Sequence, residues 1–188
     1  MLLLQFADLG VGTLTSGWTQ LQAITTTDMR SRVAMKVAGG SEGASYTMAQ
    51  TSGSDGGAII LALTDILAGQ TPVSGTSTAG SGSSVTTPSV IPLGADDFEI
   101  RFAVGLGVTS FTPPAGLTPQ ANVASGVAIA GSCATRGLTS SAATGTENFT
   151  AGDTPIERHG YTITVQGLST PSLRVFVSTA AVHRAASW

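Results

Sequence analysis

The sequence predicts an all-β protein, and within that class a β-sandwich of jelly-roll type. Short apolar runs recur between clusters of Gly, Ser, Thr and Pro, which is typical of strands joined by turns. Charged residues are only 10% of the 188 residues and glycines number 24, which argues against a long helical bundle. Six of the eight prolines follow a threonine, and such pairs are expected at sheet edges and corners.

The individual strands follow from local patterns. Residues 2–7 form an apolar run, whereas residues 33–37 and 45–50 alternate between apolar and other side chains, as expected for strands with two different faces. Residues 58–63 are almost continuously apolar, which is typical of a central strand covered on both faces. Further strands are predicted at residues 84–91, 98–104, 126–130, 161–165 and 173–178. Only residues 64–68 and 142–147 have any helical character, and both segments are short.

Alternation also predicts which side chains face solvent. In Phe98-Glu99-Ile100-Arg101-Phe102 every second residue is charged, so we expect Glu99 and Arg101 to point outward. Residues 161–165 alternate in the same way between apolar residues and threonine.

The chain contains a weak internal repeat. Residues 2–7 align with 98–103, Gly17-Trp18-Thr19 with Gly116-Leu117-Thr118, residues 33–37 with 127–130, and residues 57–63 with 160–165. The order is the same in both halves, which indicates a sandwich built from two duplicated Greek-key halves. The alternative is chance self-similarity of a glycine-rich β protein.

We expect a single domain over residues 1–188, because neither half alone would bury enough surface to be stable. The halves are about 1–68 and 84–188. The Gly/Ser/Thr-rich segment 69–83 between them is predicted to be a surface loop. The second half has a lead-in strand at 84–91 that the first half lacks, so the C-terminal strand 173–178 or an assembly partner is expected to fill that place.

Composition excludes several classes of function. Eight basic residues are scattered along the chain, which does not support a phosphate-binding nucleic-acid partner. No apolar run reaches the 18 residues of a membrane span, and the start of the chain lacks the basic region of a signal peptide. A single cysteine, Cys133, permits no internal disulfide.

The polar clusters do not predict catalytic, cofactor-binding or metal-binding residues. Asp96, Asp97 and Glu99 lack the spacing of a cation loop and are interpreted as a solvated turn. A second group, Asp153, Glu157 and His159, is interpreted as a polar turn that enters a strand, although carboxylates and histidine are also the groups used in acid–base catalysis. We therefore expect no cofactor.

Three aromatic residues are candidates for contact with a partner or a glycan: Trp18, Tyr46 and Trp188. Large amphipathic rings on loops of a sandwich stack on sugars or become buried in interfaces. Trp18 has an alternative role, because a tryptophan at a Gly-Trp-Thr corner also anchors such a corner to the core.

Part of the sequence resembles a β-sandwich module of tailed-bacteriophage virion proteins. The shared motifs are a Gly-Trp-Thr corner at 17–19, a strand that ends in Lys36-Val37-Ala38, a Ser41-Glu42-Gly43-Ala44-Ser45-Tyr46 turn, and a glycine-led apolar strand at 56–63. The resemblance covers roughly residues 2–125. Its motifs are structural, so no catalytic residue carries over.

The resemblance implies a non-enzymatic component of a virion, assembled in the host cytoplasm and exposed on the particle surface. A capsid decoration or cement protein, bound as a homo-oligomer to the major capsid protein, is the favoured expectation. The alternative is a tail-associated module, of minor-tail or tail-fibre type, that binds a host glycan or receptor. Neither expectation involves nucleic acid or a membrane.

Overall fold

The computed structural model describes residues 1–40, 42, 46, 48–50, 55–126, 128–168 and 173–174. Within these residues the chain forms thirteen strands and no helix, so the predicted all-β class is confirmed. The strands are β1 Leu2–Ala7, β2 Thr19–Thr25, β3 Arg30–Met35, β4 Gly56–Leu63, β5 Val73–Ala79, β6 Ser84–Thr87, β7 Asp97–Leu106, β8 Phe111–Thr112, β9 Thr118–Ser125, β10 Ile129–Gly137, β11 Glu147–Ala151, β12 Glu157–Gln166 and β13 Leu173–Arg174.

The strands form three sheets in which all described pairs are antiparallel. The first sheet has the order β13-β4-β1-β3-β2, and the second has the order β5-β12-β7-β10-β9. A smaller third sheet has the order β6-β11-β8. This arrangement of sheets is consistent with a β-sandwich. A search of the described residues finds no helix that is long and apolar enough to cross a membrane.

The first and second sheets enclose the main core. Alternate residues of each strand point into it, as the period of two requires. From β1 these are Leu2, Leu4 and Phe6, and from β7 they are Phe98, Ile100, Phe102 and Val104. These seven side chains are at most 8% exposed, so both central strands contribute a complete apolar face.

The outer face of each large sheet has its own cover. On the second sheet, Val85 of β6 and Phe149 of β11 pack over Ala103, Ala130 and other residues of what we call the Phe149 cluster. On the first sheet, a tryptophan from the loop before β2 is the largest member of what we call the Trp18 cluster: Leu3, Trp18, Ala34, Ala58 and Ile60. The molecule therefore has more layers than a two-sheet sandwich.

The two five-stranded sheets repeat one strand order, β4-β1-β3-β2 in the first and β12-β7-β10-β9 in the second. Each corner before β2 or β9 is turned by a glycine with a φ of +87°, Gly17 or Gly116. The pairing of β2 with β3 skips Leu21, and the pairing of β9 with β10 skips Gln120, so each half carries a bulge at the matching place. The four elements of the sequence repeat occur in the predicted order.

Two pairings within the repeat were predicted wrongly. When the two bulges are superimposed, Val33 of β3 corresponds to Cys133 of β10, so the counterpart of 33–37 is not 127–130. Their partners Leu4 and Phe102 then also correspond, so residues 2–7 match 100–105 and not 98–103. The start of β10 is rich in Gly, Ala and Ser. Small residues weaken the hydropathy signal of a buried strand, and they hid its position.

The loop predicted at 69–83 is also wrong, because Val73–Ala79 forms strand β5 along the edge of β12. Threonine favours extended structure, and an edge strand needs few apolar side chains. Its edge packs closely, since a Cβ on Gly75 would lie 3.1 Å from Val90 Cγ1 and 3.2 Å from Pro88 Cγ, so a side chain there would displace these neighbours by a few tenths of an ångström. Flexible composition did not distinguish this strand from a linker.

The outward direction predicted for Glu99 and Arg101 is a third error. Both side chains are fully buried, because they lie on the face of β7 that the third sheet covers. Thr162 and Thr164 of β12 are also buried, because the outer face of β12 is covered as well. Predicted strand 84–91 ends at Thr87 and belongs to the third sheet. The strand predicted at 45–50 is wrong for its described residues, because 46, 48 and 49 are not in a strand and Gln50 forms an isolated bridge with Val11. Residues 45, 47 and 175–178 lie outside the described residues.

Candidate functional site

The predicted contact residue Trp18 lies on the outer face of the first sheet. The left-handed turn at Gly17 places it immediately before β2, where its ring packs in the Trp18 cluster against Ala34 and Ile60. It is 8% exposed. The Tyr46 ring meets it edge-on, with 5.8 Å between ring centroids and 77° between planes. The structure therefore brings two of the three predicted aromatic residues together, while Trp188 lies outside the described residues.

A charged pair borders these rings. Lys36 Nζ lies 2.7 Å from Glu42 Oε2, and Tyr46 OH donates a hydrogen bond of 2.5 Å to the same oxygen. Lys36 Nζ also lies 5.2 Å from the Tyr46 ring centroid, within the range of a cation–π contact. The bonds from Lys36 and Tyr46 lower the pKa of Glu42 to about 2, and the bond to Glu42 raises the pKa of Tyr46 to about 12.

This geometry limits what the aromatic residues can do. A sugar stacks on an exposed ring face, and the ring of Trp18 is buried, so Trp18 serves as the anchor of its corner. Tyr46 is half-buried, and its hydroxyl is already committed to Glu42. The indole Nε1 of Trp18 is buried, and no residue in the described part of the chain gives it a hydrogen-bond partner, which is unusual for tryptophan.

Sequence reasoning missed a polar cluster inside the main core. Ser31 Oγ of β3 lies 2.6 Å from His159 Nδ1 of β12 and 2.5 Å from the Tyr161 hydroxyl. These bonds connect the first sheet with the second. Burial lowers the pKa of His159 to about 4, so the imidazole is neutral near pH 7. No sequence motif predicts this cluster, because Ser31 and His159 are 128 positions apart in the chain.

The same cluster resembles the order of groups in a hydrolase. Glu157 Oε1 lies 3.8 Å from His159 Nε2, so a serine, a histidine and a carboxylate follow one another in space, as they do in a catalytic triad. However, Ser31 is 1% exposed and His159 is fully buried. A substrate carbonyl cannot reach Ser31 Oγ in this structure, and the 3.8 Å separation is longer than a hydrogen bond. The cluster therefore cross-links the sheets.

A second buried polar cluster lies between the second and third sheets. Arg101 Nε donates to Glu99 Oε1 at 2.7 Å, Arg101 Nη1 donates to Thr87 Oγ1 at 2.6 Å, and Arg136 Nε donates to Glu99 Oε2. Arg136 also contacts Glu147 Oε1 at 3.1 Å. The interpretation of this acidic segment as a solvated turn was wrong for Glu99, which is fully buried, because two arginines compensate its charge.

The remaining predicted acidic residues have ordinary structural roles. The interpretation as a solvated turn was wrong for Asp97 too, because it is buried at the start of β7 and its Oδ2 accepts a hydrogen bond from the amide of Leu93 at 2.9 Å. Asp153 Oδ2 accepts a bond of 2.9 Å from Thr109 Oγ1 in a turn near the start of β12, as expected. Across the described ranges, no group of three or more His, Cys, Asp or Glu side chains could hold a metal ion.

An open groove of about 340 Å³ runs beside the bulge of β9. Its lining combines apolar and amide side chains: Phe111, Pro113, Pro119, Gln120, Ala121, Asn122 and Ser132. Its polar groups are engaged internally: Gln120 Nε2 donates to Thr135 Oγ1 at 2.8 Å, and Ser132 Oγ donates to the Ala121 carbonyl at 3.0 Å. The groove thus offers an apolar surface whose polar side chains each make an internal hydrogen bond.

Comparisons of the chain with family models, with curated proteins and with solved structures found no match.

Proposed function

We propose that the chain is a non-enzymatic structural component of a bacteriophage virion, a capsid decoration protein bound to the head surface as an oligomer. The observation that carries the proposal is the position of the motifs that resemble those of virion proteins. The Gly-Trp-Thr corner leads into β2, the Lys-Val-Ala segment follows β3, and the glycine-led strand is β4. All three strands belong to the first sheet, and Trp18 packs over β3 and β4. The motifs thus specify one structural unit.

An apolar end of the molecule supports a role in assembly. Leu67, Leu93 and Leu168 are 39%, 59% and 64% exposed. Hydrogen bonds hold them near one another. The Leu67 amide donates to the Gln166 carbonyl, and the Leu93 amide donates to the side-chain Oδ2 of Asp97, which pairs with Gln166 of β12. Grouped exposed leucines are a common feature of protein interfaces. On a shell with many copies, a modest contact of this kind would be repeated many times.

The alternative, a tail-associated module that binds a host glycan or receptor, has weaker support. It relied on exposed rings, and Trp18 is buried. Tyr46 remains as the half-buried ring at that corner.

Gold-labelled antibodies against the purified chain, applied to intact phage particles under electron microscopy, test the proposal. Particles that lack the protein provide the background control. We expect label over the whole head and earlier capsid disruption on heating when the protein is missing. Label confined to the tail would replace decoration with the receptor-binding alternative. An absence of label from every part of the particle would overturn a virion role.

A further inference from the structure

The outer face of β3 carries two arginines next to each other. Arg30, Arg32 and Ala34 alternate along this strand on the side opposite to the main core, where Ala34 belongs to the Trp18 cluster. Arg30 is exposed, whereas Arg32 is only 7% exposed. Both guanidinium groups therefore extend from the same side of the first sheet, one buried and one in solvent.

The Arg32 guanidinium has only neutral partners. Its Nε and Nη2 donate to Gln5 Oε1 at 3.0 and 2.6 Å, and Nη2 also donates to the Gly12 carbonyl. A guanidinium has five N–H groups, and these bonds use three of them. No described residue accepts a hydrogen bond from Nη1. The described residues also do not bury Nη1 completely, because it is not among the fully buried polar atoms that lack a partner.

No acidic side chain of the chain pairs with either arginine. All eleven Asp and Glu residues lie in the part of the chain that the structure describes. The ion pairs among those residues include neither Arg30 nor Arg32. Arg32 therefore differs from Arg101, the other buried arginine of the described ranges, whose charge Glu99 compensates.

A buried cation with neutral partners is only partly compensated. Removal of a guanidinium from water costs free energy, and hydrogen bonds to an amide and a carbonyl supply no opposite charge. An anion placed against Nη1 of Arg32 would supply that charge. Residues two apart on a strand are about 7 Å apart, so the flexible side chain of Arg30 can approach the same anion.

The surroundings favour a single carboxylate over a polyanion. The chain has a net charge of −3, so its overall field repels nucleic acid and other highly charged anions. On the neighbouring strand β2, Ala23 pairs with Arg32 and Thr25 pairs with Arg30, and both are exposed and uncharged. This surface suits a protein partner that projects one acidic side chain toward the arginines.

We propose that Arg32 and Arg30 form a binding site for one carboxylate, presented by an Asp or Glu side chain of a protein partner. The carboxylate accepts a hydrogen bond from Nη1 of Arg32 and pairs with Arg30, so that it neutralises the buried charge. This proposal goes beyond the proposed function and does not depend on it, because it concerns the outer face of β3 and not the location of the chain in a particle.

A titration of the isotope-labelled full-length chain with blocked tripeptides at pH 7 tests the site. The side-chain amide of Gln5, whose oxygen accepts two bonds from Arg32, provides an NMR signal next to the site. We expect a saturating shift of this signal with Gly-Asp-Gly and none with Gly-Asn-Gly, whose side chain has a similar shape without the charge. Equal effects of both peptides would overturn the proposal, and so would tighter binding of inorganic phosphate than of Gly-Asp-Gly.

Single variants identify the arginines that bind. Arg30→Gln should raise the dissociation constant of Gly-Asp-Gly about threefold, as expected for the loss of one exposed ion pair, and Arg32→Gln should remove saturable binding. Lys36→Gln is the matched control and should change nothing, because Lys36 follows the same strand but is already paired with Glu42 at 2.7 Å. An unchanged affinity in Arg30→Gln, or an equal loss in Lys36→Gln, would overturn the assignment. If Arg32→Gln does not fold, the peptide comparison and Arg30→Gln still decide.

Discussion

Ser31 Oγ lies 2.6 Å from His159 Nδ1, and this hydrogen bond connects β3 of the first sheet with β12 of the second across the main core. The opposite nitrogen, His159 Nε2, is buried and has no hydrogen-bond partner among the described residues. Burial disfavours the charged imidazolium relative to the neutral ring, because the charge loses its hydration. The link between the sheets is therefore sensitive to acid.

His159 makes stability depend on pH. Its pKa is lowered from 6.5 to about 4 in the folded chain. Between these values the histidine binds more protons in the unfolded chain than in the folded chain. The contribution of His159 to the free energy of unfolding should therefore be constant above pH 6.5 and decrease as the pH falls toward 4. The total loss is on the order of 3 kcal/mol. Urea denaturation at pH 7, 6, 5 and 4 measures this loss of stability. Glu157 Oε1 lies 3.8 Å from His159 Nε2 and would reduce the loss by attracting the imidazolium.

His159→Gln is the control for this pH dependence, because glutamine keeps polar atoms near Ser31 but does not titrate. The variant should be less stable at pH 7 and should lose the decline between pH 6.5 and 4. A decline of the same size in the variant would show that other groups are responsible.

Glu99 should be the most sensitive of the acidic residues. Glu99→Gln leaves two arginines without their shared anion, one of them fully buried, and we expect a loss of about 3–5 kcal/mol in the free energy of unfolding. Glu147→Gln breaks the partly exposed pair with Arg136 and should cost about 0–1 kcal/mol. Chemical denaturation of both variants at pH 7 makes the comparison. Equal losses would mean that the buried pair contributes no more than a surface pair.

The sequence predicted those features that depend on local patterns. Apolar runs located β1 and β4, and repeated glycine corners at Gly17 and Gly116 indicated the two similar halves. These signals are reliable because the strand period and left-handed turns are encoded within a few residues.

Features that depend on a third layer were not predictable in this way. Alternation shows that Glu99 and Ile100 face opposite sides of β7, but it does not show that β6 and β11 cover the charged side. The same applies to Ser31 and His159, whose contact is made only when the two sheets pack. The aromatic candidates were chosen by residue type, and burial decided against an exposed role for Trp18.

Trp18 should behave as a core residue. Trp18→Ala removes the largest side chain of the Trp18 cluster and should cost about 3–5 kcal/mol. Val37→Ala is the control, because Val37 follows Lys36 in the chain and is 77% exposed, so its loss should stay within about 0.5 kcal/mol. Thermal unfolding followed by circular dichroism measures both. An unchanged midpoint for Trp18→Ala would restore the view of Trp18 as a contact residue.

Gly131 of β10 should not tolerate a side chain, because a Cβ there would lie 2.3 Å from Cε1 of the buried Phe6 ring. Gly131→Ala should therefore cost about 1–3 kcal/mol through overpacking. Gly137→Ala, on the same strand, is the control, because no atom of the described residues lies within 4 Å of its Cβ position and stability should be unchanged or slightly higher. Adding Phe6→Leu to Gly131→Ala should recover part of the loss, and a double-mutant cycle without coupling between the two sites would contradict the contact.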